Sequence, residues 1–285
     1  MVLRLVLFVA ILLVSWAAGA LVYGLLRWHT NRRDVRRRLL AARQAGAPAA
    51  YDPRQVEDLP PPVRRYFHQV LKPGQPLITT ARITTAGLFS LGEVREDWRP
   101  FRAEQLFTVL RPGFHWDARI RMAPAVTAFV RDGYVAGAGI LHAEALALIP
   151  VADAPATPEL AQGELLRHLA ESVWFPTALL PGQVVTWEAI DDATARATLV
   201  DGDVSVWLDF HFGPDGLIAS AHTPTRYGTF GGTLRPTPWH VRYADYQPCE
   251  GMLVPMAGEV EWQLPEGALP YWRGRITRIA YEYTP

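Results

Sequence analysis

The residues best suited to chemistry are Glu164, Arg167, His168 and Glu171, whose spacings of three and four put them on one side of a helix. Two carboxylates and an imidazole facing a cleft supply a general acid and a general base, the equipment of a hydrolase-type enzyme. The same spacing also builds an ion-pair ladder on an exposed helix, each pair stabilising it by about 0.2–0.5 kcal/mol. That surface ladder is the expected arrangement, so no catalytic residue is assigned. Elsewhere the chemistry is sparse: there is no GxSxG elbow, HExxH helix, phosphate-binding P-loop or GxGxxG turn. His142-Ala143-Glu144 opens like a zinc-deaminase signature, but no PCxxC pair of thiolates is present. None of the eight histidines pairs at a metal-ligand spacing. His115, His211 and His240 fall in predicted strands, where a solvated or hydrogen-bonded imidazole is expected. Neither a metal nor a cofactor is expected.

Composition narrows the classes further. Cys249 is the only cysteine, which excludes an intramolecular disulfide, a CxxC redox pair and a zinc site built on several thiolates. The net charge of zero is a cancellation, since residues 1–45 carry eight Arg and one Asp while the remainder is acidic. Lys72 is the only lysine and Asn31 the only asparagine, so the arginine excess reads as the codon usage of a GC-rich bacterial genome. Nucleic acid is therefore not expected as a partner.

The helix carrying the Glu164 group starts with Thr157 as N-cap and Pro158 in its first turn, and runs to about Phe175 before Pro176 stops it. Leu165, Leu169 and Val173 form its apolar side, so the Gln162–Phe175 stretch should lie on a sheet with its polar group turned away. A shorter helix comes after Leu59-Pro60-Pro61-Pro62, with Val63, Phe67, Val70 and Leu71 on one face and Pro73-Gly74 as its end. From Leu77 onward the apolar period becomes two. Phe114, Trp116, Ala118, Ile120 and Met122 alternate with His115, Asp117, Arg119 and Arg121, giving one dry and one charged face. Asp203–Phe212, Gly258–Leu264 and Arg275–Tyr283 show the same alternation, Asp201-Gly202 marks a hairpin, and Pro214-Asp215-Gly216 marks another reversal. Closely spaced strands joined by turns predict antiparallel pairing. Of ten tryptophans, eight lie in this region, a density that fills wide cores or lines apolar pockets.

Leu5 to Leu26 is a run of twenty-two residues without a charge, long enough at about 1.5 Å per residue to cross a bilayer of ~30 Å once. Tyr23 and Trp28 are placed for the headgroup level. Ala20 and Gly24, like Ser15 and Gly19, are small residues spaced for close helix approach. Ala18-Gly19-Ala20 also resembles a signal-peptide cleavage site, which is the competing reading. The seven arginines from Arg27 to Arg43 stop transfer, contact lipid headgroups and, by the positive-inside rule, put the domain in the cytoplasm, with an extracytoplasmic domain as the alternative. The expected organisation is an anchor at 1–30, an arginine-rich juxtamembrane helix and linker at 31–50, the linker being Ala45 to Ala50, and a single β-rich domain at 51–285.

From about Tyr51 to Tyr283 the chain resembles a bacterial domain family of unknown function, the one numbered 6920 or its relative numbered 6544. The likeness rests on Gly163 to Glu171, Trp174 to Pro181, Leu59 to Tyr66, Phe114 to Ala118, Arg226-Tyr227, Gly251 to Pro255 and Pro270 to Gly274. His168 stands where an aromatic residue is expected. The resemblance implies no reaction or ligand.

The sequence thus predicts a mainly β fold, a curved antiparallel sheet or half-barrel with one helix packed on it, similar in general plan to the lipoprotein-carrier half-barrels. An aromatic concave face beside a membrane anchor suggests an apolar or lipid-like ligand, with Trp116, Glu164, Arg167, Glu171, Trp174, Phe210 and Trp262 as candidate contacts. A hydrolase-type enzyme using Glu164, His168 and Glu171, or a membrane-tethered protein-interaction module with an exposed apolar patch, are the alternatives.

Overall fold

The computed structural model describes residues 1–44, 50–92 and 95–283; most of the linker expected at Ala45 to Ala50 falls outside them. One antiparallel sheet organises the chain. Its strands are β1 (Ile78–Ser90), β2 (Trp98–Thr108), β3 (Gly113–Ala123), β4 (Val126–Val135), β5 (Ala138–Ala145), β6 (Ile149–Ala154), β7 (Val185–Ala189), β8 (Thr194–Asp201), β9 (Val204–Phe212), β10 (Ile218–Phe230), β11 (Thr233–Cys249), β12 (Met252–Leu264) and β13 (Gly267–Tyr283). The order across the thirteen strands is β6-β5-β4-β3-β2-β1-β13-β12-β11-β10-β9-β8-β7. Every neighbour is a sequence neighbour except β1 and β13, whose pairing from Ile78↔Tyr283 to Phe89↔Trp272 joins the two halves.

Among the described residues three α-helices complete the fold: α1 (Val2–Ala42), α2 (Pro61–Val70) and α3 (Pro158–Glu171). The Thr157 hydroxyl accepts from the Leu160 N–H to cap α3, which ends at Glu171, five residues before Pro176, with short 3₁₀ turns at Ser172–Trp174 and Pro176–Leu179. Because α3 lies between β6 and β7, the two edges of the sheet, it touches β3, β4 and β5 on one side and β9 and β10 on the other. The sheet therefore curls around α3, and twist accumulated over many strands makes such curling natural. Phe107, Phe114, Leu165, Leu169, Phe175, Leu179, Leu208 and Phe210 are wholly buried in the core between them. The helix α2 closes another part of this core with Tyr66 and Phe67, also without exposed surface, and burial of each such ring contributes roughly 1.5–3 kcal/mol.

The curling corrects the expected placing of the Glu164 group. Both sides of α3 are covered, so Glu164, Arg167 and Glu171 form no surface ladder but are enclosed with the apolar side.

The helix α1 is continuous from the apolar run through the arginines. On one face of it Trp28, Val35 and Leu39 are buried against the convex side of β2, β3 and β4, and Gly24 against the turn that follows β5. The charged face of β3 is thus a docking surface. Trp28 donates from Nε1 to Asp117 at 3.0 Å and is flanked by the guanidinium groups of Arg131 and Arg119, 4.4 and 5.5 Å from its ring. It is therefore sequestered from the headgroup level. Four of the flanking arginines likewise pair with the domain: Arg27 with Glu144 at 2.7 Å, Arg32 with Asp117 at 3.1 Å, Arg36 with Glu104 at 3.5 Å, and Arg43 with Glu282 at 3.6 Å. His115 lies beneath this contact with neither ring nitrogen hydrogen-bonded, contrary to the expected solvated or satisfied imidazole, and burial holds it neutral with a pKa lowered to about 3.

Candidate functional site

Above α3 the curled sheet encloses a cavity of about 590 Å³. Its walls come from alternate residues of the concave face, as a period of two requires: Trp116, Ile120 and Met122 of β3, Ala128, Val130 and Asp132 of β4, and Gly258, Val260 and Trp262 of β12. Aromatic rings dominate. Trp262 stacks on Tyr271 with centroids 5.8 Å apart, Phe230 meets Trp262 edge-on at 5.5 Å, and Trp174 and Trp272 lie 6.3 Å apart.

The polar groups gather at one place, where α3 crosses the cavity. Arg167 pairs with Asp132 of β4 and, through Nε, with Glu171 at 3.0 Å, while Gln105 of β2 donates to the other Glu171 oxygen at 2.6 Å. Its guanidinium also covers the faces of Trp116 and Phe114 at 4.9 and 5.1 Å. On the far side Arg226 of β10 donates to the Gly163 carbonyl at 3.3 Å and to the Tyr271 hydroxyl at 2.8 Å, and stands 3.7 Å from Glu164. Trp239 donates to the same hydroxyl at 2.9 Å. With both Tyr271 lone pairs taken, its own proton is left to donate.

Three carboxyls therefore face two guanidinium groups. Burial and the adjacent charge of Asp132 push the Glu164 carboxyl well above the ordinary glutamate range, against the pull of Arg226 and Arg167. Burial also raises Glu171, opposed by Arg167 and by its hydrogen bonds. With Glu164 protonated the site is balanced, two cations against Asp132 and Glu171. The protonated Glu164 donates to Asp132, which leaves two polar atoms of the lining with no hydrogen-bond partner in the protein, the indole Nε1 of Trp174 and of Trp272. A buried group left in this state costs about 1–3 kcal/mol, so the floor is primed to receive a ligand's acceptors.

Of the seven residues singled out in the sequence, Trp116, Glu164, Arg167, Glu171, Trp174 and Trp262 line this cavity. Phe210 does not; it is fully buried against Trp187, 5.5 Å away. His168 points from the opposite side of α3 into the core, between Phe107 and Phe175, and Nε2 bonds the Thr108 carbonyl at 3.1 Å. The two glutamates and the histidine weighed for acid–base chemistry thus do not converge. Sequence reasoning missed Asp132, Arg226, Trp239 and Tyr271; only Arg226 and Tyr271 fell within segments singled out for the family likeness. Among the described residues, no group of three or more His, Cys, Asp or Glu side chains is placed to hold a metal ion.

A family model described as a family of unknown function, DUF6920, matches residues 57–281. Among solved structures the chain is similar to a LolA superfamily protein from Nitrosomonas europaea at 15% identity and a TM-score of 0.37, over 72% of this chain and 87% of that one. No curated protein matches the chain.

Proposed function

The chain belongs to DUF6920, a family of unknown function, and from that premise we propose that it is a membrane-tethered binder of an amphiphile, held with its polar head on α3 and its apolar part among the cavity's aromatic rings. Membership of the family transfers no ligand, so the reading is carried by one observation: a cavity of about 590 Å³ that is apolar on its walls and has unpartnered polar atoms only at its floor. That volume lies within the ~300–1,000 Å³ range of small-molecule sites. For a ligand taken from water, ten buried methylenes would gain roughly 8 kcal/mol gross. Against this stand association costs of about 4 kcal/mol or more.

The tether is α1, whose apolar window has none of its residues buried in the protein. A single crossing by the apolar run up to Tyr23, where α1 leaves the domain, fits the arginine flank with a cytoplasmic domain. Pairing of Arg27, Arg32 and Arg36 with the folded domain does not weaken this, because the positive-inside rule acts on the chain as it inserts.

The test is native mass spectrometry of the full chain, with lipid extraction, beside an Ala143→Trp variant. Ala143 lines the cavity, and the added indole occupies its space without removing a polar group. The expected result is a bound lipid in the parent protein that is lost in the variant at unchanged thermal stability. A parent protein that carries no lipid from its membrane and takes up none when supplied would overturn the reading.

A further inference from the structure

The strand directions give the cavity an orientation relative to α1. Strands β1, β3, β5, β10 and β12 all run toward one rim of the sheet, where the turns into β2, β4, β6, β11 and β13 lie. The cavity occupies the rim half. Its lining includes Ile120 and Met122 from the end of β3, Phe230 from the end of β10 and Trp262 near the end of β12, whereas Phe114, Met252 and Ile218 at the opposite end belong to the closed core. The polar floor is correspondingly deep, since Asp132 is the lining residue of β4 farthest from the rim and Arg226 that of β10.

The helix α1 runs along the strands from this rim to the other end. Gly24 sits against the Ala147 carbonyl and Leu148 in the β5–β6 turn, so closely that a Cβ there would lie 2.5 Å from that oxygen. Twenty residues later, Gln44 donates to the Leu110 carbonyl in the turn between β2 and β3, at the far end. Residues 2–23 therefore project past the rim, about 33 Å of helix at 1.5 Å per residue, and these are the apolar ones. Ion pairs and the Trp28 contact fix that direction. The rim also bears exposed aliphatic side chains: Ile149 and Val151 of β6, each 59% exposed, and Leu234 at the start of β11, 50% exposed.

We infer that the cavity opens onto the bilayer crossed by α1, with Ile149, Val151 and Leu234 seated at its surface, so that the ligand is a lipid of the adjoining leaflet that enters head first. This rests on the ligand reading above. Head-first entry is dictated by the order of surfaces: a leaflet presents headgroups to the rim, and the cavity presents aliphatic side chains, then aromatic walls, then the polar floor. A lipid moving from hydrocarbon to these walls gains little from the hydrophobic effect, because its chains leave one apolar medium for another. Its retention must then come from the floor, where the Tyr271 hydroxyl proton and the indole N–H groups of Trp174 and Trp272 have no acceptor in the protein. The balance of two guanidinium groups against Asp132 and Glu171 leaves no free cation for an anionic head, so the class favoured is an uncharged head with hydroxyl and carbonyl groups.

The experiment uses the full chain in nanodiscs of phosphatidylethanolamine and phosphatidylglycerol containing a doxyl-labelled lipid. In a Cys249→Ala background, an environment-sensitive fluorophore is placed by Ile149→Cys, by Leu234→Cys and, at the far end, by Ala136→Cys. The expected result is strong quenching at both rim positions and little at Ala136; equal quenching at all three would overturn the orientation. Uptake is read separately, with a fluorescent diacylglycerol supplied either in the disc or in detergent micelles. Ile149→Glu is expected to slow uptake from the disc several-fold and to leave micellar binding unchanged, and equal slowing by both routes would count against entry at the rim. Absence of binding by either route, with rim quenching intact, would remove the ligand reading and not the orientation.

Discussion

Replacing Glu164 with Gln removes a titrating group at nearly constant shape, and the surrounding residues set the size and sign of the effect. In the native site Glu164 has Arg226 at 3.7 Å and a pKa raised by burial and by Asp132, to which its protonated carboxyl donates. A glutamine amide can make the same donation while its carbonyl faces Arg226, so the hydrogen bonding is kept. What the substitution removes is the free energy of holding Glu164 protonated, about 1.4 kcal/mol for every tenfold rise in its proton affinity. At roughly 2–4 °C per kcal/mol for a domain of this size, E164Q should raise the melting temperature by a few degrees at pH 8. The pH dependence is more diagnostic. A carboxyl whose folded pKa lies above its ordinary 4.5 costs no stability below that value, where both states hold the proton. As pH rises past it the unfolded chain ionises and the folded protein does not, so native stability falls until the folded pKa is reached. E164Q lacks this loss, and the difference between variant and parent should grow from near pH 4.5 upward. Intrinsic tryptophan fluorescence during thermal unfolding, from pH 4 to 8, reads it directly. A variant less stable than the parent, or a difference independent of pH, would refute the assignment of Glu164 as a buried, protonated acid.

Asp117 anchors α1 through Trp28 and Arg32 and also pairs with Arg119 of its own strand, and its carboxylate stays ionised because hydrogen bonds and charge from Arg119, Trp28 and Arg32 outweigh burial. Asp117→Ala leaves the buried Trp28 indole without its acceptor while Arg32 keeps Glu104, and should cost about 1–3 kcal/mol, read as the shift of the denaturation midpoint. Gly24→Leu should break the contact of α1 with the β5–β6 turn, and a protease should then cut near Leu148 faster than in the parent, with the sheet core still protected. His168 is held neutral by burial, with a pKa lowered to about 4, and so destabilises the fold as pH falls below its ordinary 6.5. His168→Phe should remove part of the stability loss between pH 6.5 and 4, measured by the same unfolding curves. A reporter fused after Tyr283 should show the domain on the cytoplasmic side.

Much of this fold was legible because its signals are local. The alternation of Phe114 to Met122, the Pro61 start of α2 and the Thr157 cap of α3 all reappear in the structure, and the hairpin expected at Asp201-Gly202 turns one residue later, at Gly202-Asp203. The strands β12 and β13 are longer than their alternating cores, because Pro255 and Pro270 interrupt the pattern without ending the pairing. What escaped was set by distant chain. The charged face of β3 reads as solvated until α1, about ninety residues earlier in the chain, is laid over it. The Glu164 group reads as an exposed ladder until the sheet curls around α3 and brings Asp132 and Arg226 to it. The aromatic residues nominated from density alone were sorted by the fold: Trp116 and Trp262 line the cavity, while Phe210 packs against Trp187 in the core.

The most direct test of lipid occupancy is photocrosslinking of the full chain in a bilayer containing a lipid with a diazirine near its first acyl carbons, with the modified residues mapped by mass spectrometry. The account expects label on cavity residues such as Val130, Val241 and Val260, in addition to the apolar segment of α1, and loss of the cavity label in Ala143→Trp. Label confined to α1, with the cavity walls unmodified, would contradict it.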